Sequence, residues 1–167
     1  AVFGVSGYSG AGKTPSRKND PDVLRDNLLP YTLVEHIHER EVSRHIGRDI
    51  RFLPHVAPFF RGISLSIAAE LERPVTVSEL AEVYGDFYAA CPLIEVRGDI
   101  PEVAEVRGTH RVIVGGFAVS SAHPERVSLV AVLDNLLKGA ATQALQNLNL
   151  AFGLHATAGL DDRGGVQ

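Results

Sequence analysis

Residues 7–14 form a glycine-rich segment, GYSGAGKT, that fits the phosphate-loop pattern G-x-x-x-x-G-K-[ST] letter for letter. In such a loop, backbone N–H groups surround the phosphates and the lysine reaches the outer ones. Asp134 follows the apolar run 127–133, as a magnesium-binding aspartate does at a strand end. A nucleotide site also needs a helix that begins at Lys13 and Thr14, but the next residues are PSRKNDPD, a turn-forming sequence. We therefore predict a glycine-rich loop whose backbone can approach a ligand closely, and a nucleotide-binding protein is the alternative.

Histidine is the residue type best suited to acid–base chemistry near neutral pH, and the chain contains seven. His55 follows Pro54 at the predicted end of an apolar strand, a position from which a general acid or base can reach a substrate. Arg61 follows closely and could hold an anionic substrate group by a bidentate contact. His36 and His38 alternate as strand residues do, so they would share a face. No further ligands follow at helical spacing, and we predict no metal site.

Composition excludes several classes of protein. The 167 residues carry 16 lysines and arginines against 20 aspartates and glutamates, and a net charge of −4 argues against a nucleic-acid partner. The single cysteine, Cys91, has apolar neighbours, which indicates a structural thiol rather than a nucleophile. The apolar runs are too short to span a membrane. The length suits one domain, residues 1–167, and because the chain lacks methionine and starts at Ala1 we expect a piece of a longer protein.

The apolar pattern predicts the elements that hold these residues in place. The predicted strands are residues 1–7, 49–53, 62–71, 93–98 and a hairpin of 110–121 and 126–134. The predicted helices are 39–45, stopped by Gly47, then 76–90, opened by a capping box at Thr76 and Glu79, and 135–153, with Asp134 or Asn135 as its N-cap. Residues 7–30 are predicted to form a long loop with at most one helical turn, and the tail from Gly159 to be loose.

The fold class that follows is α+β: a mixed, largely antiparallel sheet with helices on one face. Two of the helices are predicted to bury an apolar stripe. These stripes are Leu80, Val83, Tyr84 and Phe87 on the second helix, and Leu136, Ala140, Ala144 and Leu148 on the last.

Four segments in fixed order carry a resemblance to a known family. They are GVSGYSGAG, HIHEREV, LPHVAPFFRGI and DNLLKGAATQALQN, and over residues 3–153 they resemble the C-terminal domain of N-acetyl-gamma-glutamyl-phosphate reductases, in the semialdehyde dehydrogenase superfamily. The resemblance implies a glyceraldehyde-phosphate-dehydrogenase-like domain that binds the acyl-phosphate substrate and forms a homo-oligomer, a dimer or tetramer. It also implies an N-terminal dinucleotide-binding domain, absent from this chain, that holds NADP and the cysteine nucleophile of this step of arginine biosynthesis.

The resemblance also assigns roles to individual residues. His55 would be the general acid–base group, and His55→Asn would lower the rate of the full enzyme about 10²- to 10⁴-fold. Arg61 would neighbour the substrate carboxylate or phosphate, and His38 and Glu41 match a motif near the substrate. The residues that would lie against the nicotinamide end of the cofactor are Ser6, Gly7, Gly10 and Gly12, with Asn135 hydrogen-bonded to its amide.

The chain departs from the common family pattern in two motifs. Tyr8 and Lys13 stand where Val and Arg are more usual, and Lys13 creates the phosphate-loop match. Ile37 and Arg40 stand where Arg and Pro are more usual, and Cys91 matches no nucleophile context. We therefore expect the chain to be inactive alone. The alternatives are a nucleotide-binding protein or a non-catalytic assembly domain, and the expected location is the cytoplasm, or the mitochondrial matrix for a fungal source.

Overall fold

Seven strands form one sheet in the computed structural model, which describes residues 1–160. The strands are β1 (Val2–Gly7), β2 (Leu29–Pro30), β3 (Phe52–Ala57), β4 (Ile63–Glu70), β5 (Ile94–Val96), β6 (Val112–Val119) and β7 (Arg126–Leu133). The helices are α1 (Pro21–Leu24), α2 (Ile37–Ile46), α3 (Val77–Tyr88), α4 (Val103–Val106) and α5 (Thr142–Ala151), with a 3₁₀ turn at Tyr8–Ala11 and a π turn at Leu137–Ala141.

The strand order is β2-β3-β1-β4-β7-β6-β5. Neighbouring strands run parallel in the pairs β1–β3 and β5–β6 and antiparallel in the other four pairs. The prediction of a mixed, largely antiparallel sheet is therefore confirmed. The long loop predicted for residues 7–30 is also present, but the prediction of at most one helical turn was wrong, because the segment contains the 3₁₀ turn, α1 and the short strand β2.

The two faces of the sheet are covered by different elements. Leu80 of α3 packs on a cluster to which β4 contributes Leu65 and β7 contributes Leu129. Val106 of the one-turn helix α4 packs instead on Val132 and its neighbours. Because side chains alternate between faces along a strand, these two clusters lie on opposite sides of the sheet. We call the two sides the α3 face and the α4 face.

Helix α3 begins as predicted but turns a different stripe inward. The capping box of Thr76 and Glu79 is present, with Thr76 Oγ1 accepting from the N–H of Glu79 and the Glu79 carboxylate accepting from the N–H of Thr76. Leu80 is buried, but Val83 and Phe87 are 63% and 76% exposed, so the prediction for these two was wrong. The apolar residues of this helix lie on more than one of its sides, so their periodicity alone did not show which side packs on the sheet.

Strand β3 starts later than predicted and includes Pro54 and His55, which corrects the prediction that His55 lies at a strand end. The carbonyl of Pro54 accepts from the N–H of Tyr31, just beyond the two pairs that join β2 to β3. The nitrogen of Pro54 points to the same side as its carbonyl, toward the end of the β2–β3 ladder. Proline has no N–H to donate, and it is tolerated there because no ladder hydrogen bond is lost.

The last helix is largely exposed, which overturns the stripe predicted for it. Ala140, Ala144 and Leu148 are all exposed, because α5 continues directly from the π turn and makes few contacts with the strands. Four large apolar side chains at its end are more than half exposed: Leu148, Leu150, Phe152 and Leu154. We call them the C-terminal apolar surface. The tail predicted to be loose falls, from residue 161 onward, outside the described residues.

Candidate functional site

Three loops meet at one end of the sheet. β1 and β3 run parallel and end together at Gly7 and Ala57. At the same end, β4 begins at Ile63, which pairs with Ser6 of β1 and with Leu133, the last residue of β7. The glycine-rich turn after β1, the loop 58–62 after β3 and residues 134–137 after β7 are therefore neighbours. We call this region the strand-end site.

Backbone hydrogen bonds fasten the glycine-rich turn to the loop after β3. The N–H groups of Gly7, Tyr8 and Ser9 donate to carbonyls of residues 62, 59 and 60 over 2.8–3.0 Å. The rings of Tyr8 and Phe60 pack edge to face with centroids 5.4 Å apart. The turn is therefore held by main-chain contacts, which require the two chains to approach closely.

That close approach gives a stability prediction for Gly7. A Cβ on Gly7 would lie 2.7 Å from the backbone N of Arg61 and 2.7 Å from the carbonyl oxygen of Phe60. Gly7→Ala is expected to lower the free energy of unfolding by about 1–3 kcal/mol, as overpacking does. Gly98→Ala is the matched control, because nothing lies within 4 Å of its Cβ position. Equal urea midpoints for the two variants would contradict the prediction.

Asn135 connects the glycine-rich turn to the start of the last helix. Its buried side chain accepts from the N–H of Gly62 at 2.6 Å through Oδ1 and donates to Ser9 Oγ at 2.9 Å through Nδ2. A Cβ on Gly10 would lie 2.9 Å from Ser6 Oγ and 3.5 Å from Asn135 Nδ2. Ser6, Gly10 and Asn135 are therefore brought together, as the sequence led us to expect, and the lack of a side chain at Gly10 leaves room beside the amide.

Gly12 lies further along the same turn and has a left-handed backbone, with φ of +77°. A groove of about 930 Å³ lies beside the glycine-rich turn, and the residues that line it include Tyr8, Lys13, Phe60 and Leu136. No helix begins at Lys13, and the following residues form an irregular loop that Asn19 holds by hydrogen bonds to the carbonyls of residues 12 and 14. The phosphate-loop interpretation is therefore wrong.

Asp134 is fully buried, and both of its carboxylate oxygens accept hydrogen bonds. Oδ1 accepts from Arg61 Nη2 at 3.0 Å and Oδ2 lies 2.7 Å from Arg61 Nε. The N–H groups of Leu136 and Leu137 donate to Oδ1, so Asp134 holds the turn that leads into the helical segment. The segment itself starts later than predicted, at Leu137, and its N-cap is Leu136 rather than Asp134 or Asn135. The N–H of Gly108 donates to Oδ2. Both oxygens are thus engaged within the chain, so the interpretation of Asp134 as a magnesium ligand is wrong.

These donors also set the charge state of Asp134. Burial by itself raises the pKa of this carboxyl, but the hydrogen bonds from Gly108, Arg61 and the helix start outweigh it and hold the pKa below its ordinary value. A carboxylate whose pKa is lowered by folding stabilises the fold above its unfolded pKa, near 3.9, and loses that contribution as the pH falls through the folded value.

Stability should therefore fall with pH below about 4 in a way that depends on Asp134. We expect the slope of the unfolding free energy against pH in this acid range to be smaller in Asp134→Asn than in the parent. Denaturant titrations at a series of pH values measure it. An unchanged slope would show that another carboxyl controls the acid limb.

The sheet register places His55 on the opposite face from Ser6. His55 pairs with Val5, and Ser6 is the next residue of β1. Because successive side chains point to opposite faces, the imidazole of His55 lies on the α4 face and Ser6 Oγ on the α3 face. The His55 ring packs on Phe3 at 4.4 Å between centroids, and its Nδ1 lies 3.1 Å from the carbonyl oxygen of Leu53.

His36 and His38 lie on the face of Ser6. Their rings pack on Phe52, with centroids 5.2 and 5.9 Å apart. Phe52 in turn covers Gly4, since a Cβ on Gly4 would lie 2.6 Å from its ring. Gly4 is two residues before Ser6 and shares its face. Two histidines were predicted for the site, His38 and His55, and His38 is the one that shares a face with Ser6.

These two histidines belong to a helix, which corrects the prediction of a strand there. His36 is the N-cap of α2, and its Nδ1 accepts from the N–H of His38. Burial, and secondly the neighbouring His38 ring, lower the pKa of His36. His38 Nε2 lies 3.9 Å from Glu41 Oε2, and both side chains are more than half exposed. His38 and Glu41 are thus adjacent and open to a ligand.

Residues 1–160 contain neither a cluster of metal ligands nor a membrane-spanning helix. No three His, Cys, Asp or Glu side chains in this part of the chain come close enough together to hold a metal ion. None of the helices in the same range has the length and apolar character needed to cross a bilayer.

Solved structures share the fold of this chain. A solved structure of aspartate semialdehyde dehydrogenase II from Vibrio cholerae is similar to this chain with a TM-score of 0.70 and 20% identity, over 91% of this chain and 54% of that chain. The structure of the Vibrio cholerae enzyme complexed with ASA gives 0.69 at 22% identity. At this identity the likeness shows the fold alone, which this chain shares with part of the Vibrio cholerae enzyme.

The sequence then gives the family. Residues 1–135 match the family described as semialdehyde dehydrogenase, dimerisation domain, and the chain belongs to this family. It is 56% identical over 151 residues to the N-acetyl-gamma-glutamyl-phosphate reductase of Xanthomonas campestris pv. campestris (strain B100). It is 54% identical over 161 residues to the bifunctional protein argC, mitochondrial, of Dictyostelium discoideum. These matches cover 90% and 96% of this chain but 48% and 19% of the relatives, so it spans at most about half of their length.

Proposed function

We propose that this chain is the substrate-binding and oligomerisation half of an NADP-dependent reductase that converts N-acetyl-glutamyl phosphate to N-acetyl-glutamate semialdehyde and phosphate in arginine biosynthesis. Its support is the strand-end site, where Ser6, Gly10 and Asn135 meet in a chain 56% identical to a reductase of that name. The other half of the protein would supply the dinucleotide-binding domain and the nucleophile.

The strand-end site suits the amide end of a nicotinamide cofactor. The family uses such a cofactor, and NADP is our specific proposal. A planar amide would fit beside Gly10, where a side chain would collide with Ser6 Oγ, and Asn135 offers an amide edge at the same place. When bound, the cofactor supplies hydride-transfer chemistry. Gly7 and Gly12 would shape the turn around it, while Ser6 would contact it from the α3 face.

The proton-transfer group has two candidates, and the geometry favours His38. An acid–base group must reach the atoms that react, and these would lie beside Ser6 on the α3 face. His38 shares this face, is exposed and has Glu41 at 3.9 Å to orient it. His55, the candidate from sequence, is separated from Ser6 by the sheet and stays the alternative.

The partners are proposed from two uncovered surfaces. The C-terminal apolar surface would pack on the other half of the reductase, because 53–73% exposure of four large apolar side chains is costly in water. Ser66, Ala68, Ala118 and Ser128 form a second surface of small exposed residues on the α4 face. A second copy of the chain would pack flat on these residues, as suits a dimerisation domain. The cytoplasm is the proposed location, with the mitochondrial matrix as the alternative.

Genetic complementation tests the proposal. The full-length protein is expected to restore growth without arginine to a bacterium that lacks its own N-acetyl-gamma-glutamyl-phosphate reductase. The chain of residues 1–167 alone is the control and is expected not to restore growth, because it holds no nucleophile in a matching context. Failure of the full-length protein, expressed at normal level, would contradict the proposal.

A further inference from the structure

We propose that Arg61 and Asp134 form a positioning pair that fixes the amide of Asn135 for the nicotinamide cofactor, and that Arg61 does not bind the substrate. The inference rests on the proposed function and refines it, because the sequence had assigned Arg61 to the substrate anion. Neither residue touches the cofactor in this proposal. Each acts through the neighbouring residue of the chain.

The first observation is that two consecutive residues pair with two consecutive residues across the site. Arg61 pairs with Asp134 through two contacts of 2.7 and 3.0 Å. The next residues along each chain, Gly62 and Asn135, pair through the bond of 2.6 Å from the Gly62 N–H to Asn135 Oδ1. Movement of the ion pair would therefore move the Gly62 N–H and the backbone of Asn135, which together place the Asn135 amide.

The second observation is that Arg61 has little freedom to turn toward a substrate. Its Nη2 donates to Asp134 Oδ1, its Nε lies 2.7 Å from Oδ2, and its side chain is only 25% exposed. The following residue, Gly62, has a φ of +114°, and a Cβ there would collide with Val103. Only glycine adopts this backbone conformation without strain. Gly62 is held at both of its polar groups, because its N–H donates to Asn135 Oδ1 and its carbonyl accepts from the N–H of Gly7.

The third observation is that Asn135 passes the constraint to the glycine-rich turn. Its Nδ2 donates to Ser9 Oγ, and the Cβ position of Gly10 lies 3.5 Å from the same nitrogen. If the Asn135 amide were rotated by half a turn, Nδ2 would face the Gly62 N–H and Oδ1 would face Ser9 Oγ. Two donors would then oppose each other at Gly62, which disfavours that orientation. The orientation that the pair imposes is therefore the one that leaves an amide edge beside Gly10.

Steady-state kinetics of the full-length reductase test the proposal with Arg61→Lys. This variant keeps the positive charge next to buried Asp134 but loses the two-point contact. We expect the KM for NADPH to rise about tenfold, the effect of one misplaced hydrogen bond, with the KM for the acyl phosphate changed less than twofold. In an Asn135→Ala background the same substitution should have almost no further effect on the KM for NADPH, because the two residues act as one unit.

The matched control is Arg48→Lys, which alters an exposed ion pair with Glu72 and should leave both KM values unchanged. If Arg61→Lys does not fold, Ser9→Ala removes one contact of the Asn135 amide and should raise the KM for NADPH in the same selective way. A rise confined to the KM for the acyl phosphate, or full additivity with Asn135→Ala, would overturn the proposal. Absence of activity in the parent protein would instead contradict the proposed function.

Discussion

His38→Asn in the full-length reductase is expected to lower kcat about 10²- to 10⁴-fold, the contribution that a positioned acid–base group makes. The physical reason is its place on the α3 face, the side to which Ser6 points and on which the cofactor and the reacting carbon would lie. Asparagine keeps a polar side chain of similar size but cannot carry the proton. Stopped-assay or spectrophotometric rates at saturating substrate measure the effect.

Two matched variants decide between the candidate histidines. His45→Asn changes an exposed histidine on the same helix, α2, and is expected to leave kcat within about twofold, as surface substitutions do. His55→Asn is expected to reduce kcat far less than His38→Asn, because the sheet separates it from Ser6. A large loss in His55→Asn with normal kcat in His38→Asn would restore the sequence-based assignment and contradict ours.

Asp134→Ala is expected to be the most destabilising single substitution of the site. It would leave the guanidinium of Arg61 without its partner and three backbone N–H groups without an acceptor in a buried place. Breaking a buried ion pair in this way costs about 3–5 kcal/mol. Glu72→Ala removes the exposed partner of Arg48 and should cost less than about 1 kcal/mol. Similar urea midpoints for the two variants would show that the Asp134 pair contributes little.

Elements with a local start or stop signal could be predicted from the sequence. Thr76 and Glu79 form the capping box of α3, and Gly47 ends α2 in the left-handed conformation, with φ of +67°. The turn AHPE joins β6 to β7. Each of these features depends on contacts between residues a few positions apart, so a short stretch of sequence is enough to predict it.

The pairing of Arg61 with Asp134 could not be predicted, because 73 residues separate them and no local pattern relates the two. The face on which a histidine lies depends on strand register in the same way. A shift of the start of β3 from the predicted residue 49 to Phe52 moved His55 from a strand end into the ladder. Only the pairing with β1 then decided which side it faces.

The buried sides of two helices, α3 and α5, could not be predicted from the sequence either. Val83, Phe87 and Leu148 have the apolar character of core residues but are exposed. Hydrophobicity predicts that a side chain will be covered, and it does not say whether the cover belongs to the same chain. In our account the apolar residues at the end of α5 are covered by the other half of the reductase.

The measurement that tests the central claim most directly is the substrate choice of the purified full-length protein. We would follow reduction of NADP in the presence of phosphate with N-acetyl-glutamate semialdehyde and, separately, with aspartate semialdehyde. We expect the first substrate to be used faster, by about 10²-fold or more in kcat/KM. Equal or faster turnover of aspartate semialdehyde, or no turnover of the N-acetylated substrate, would contradict it.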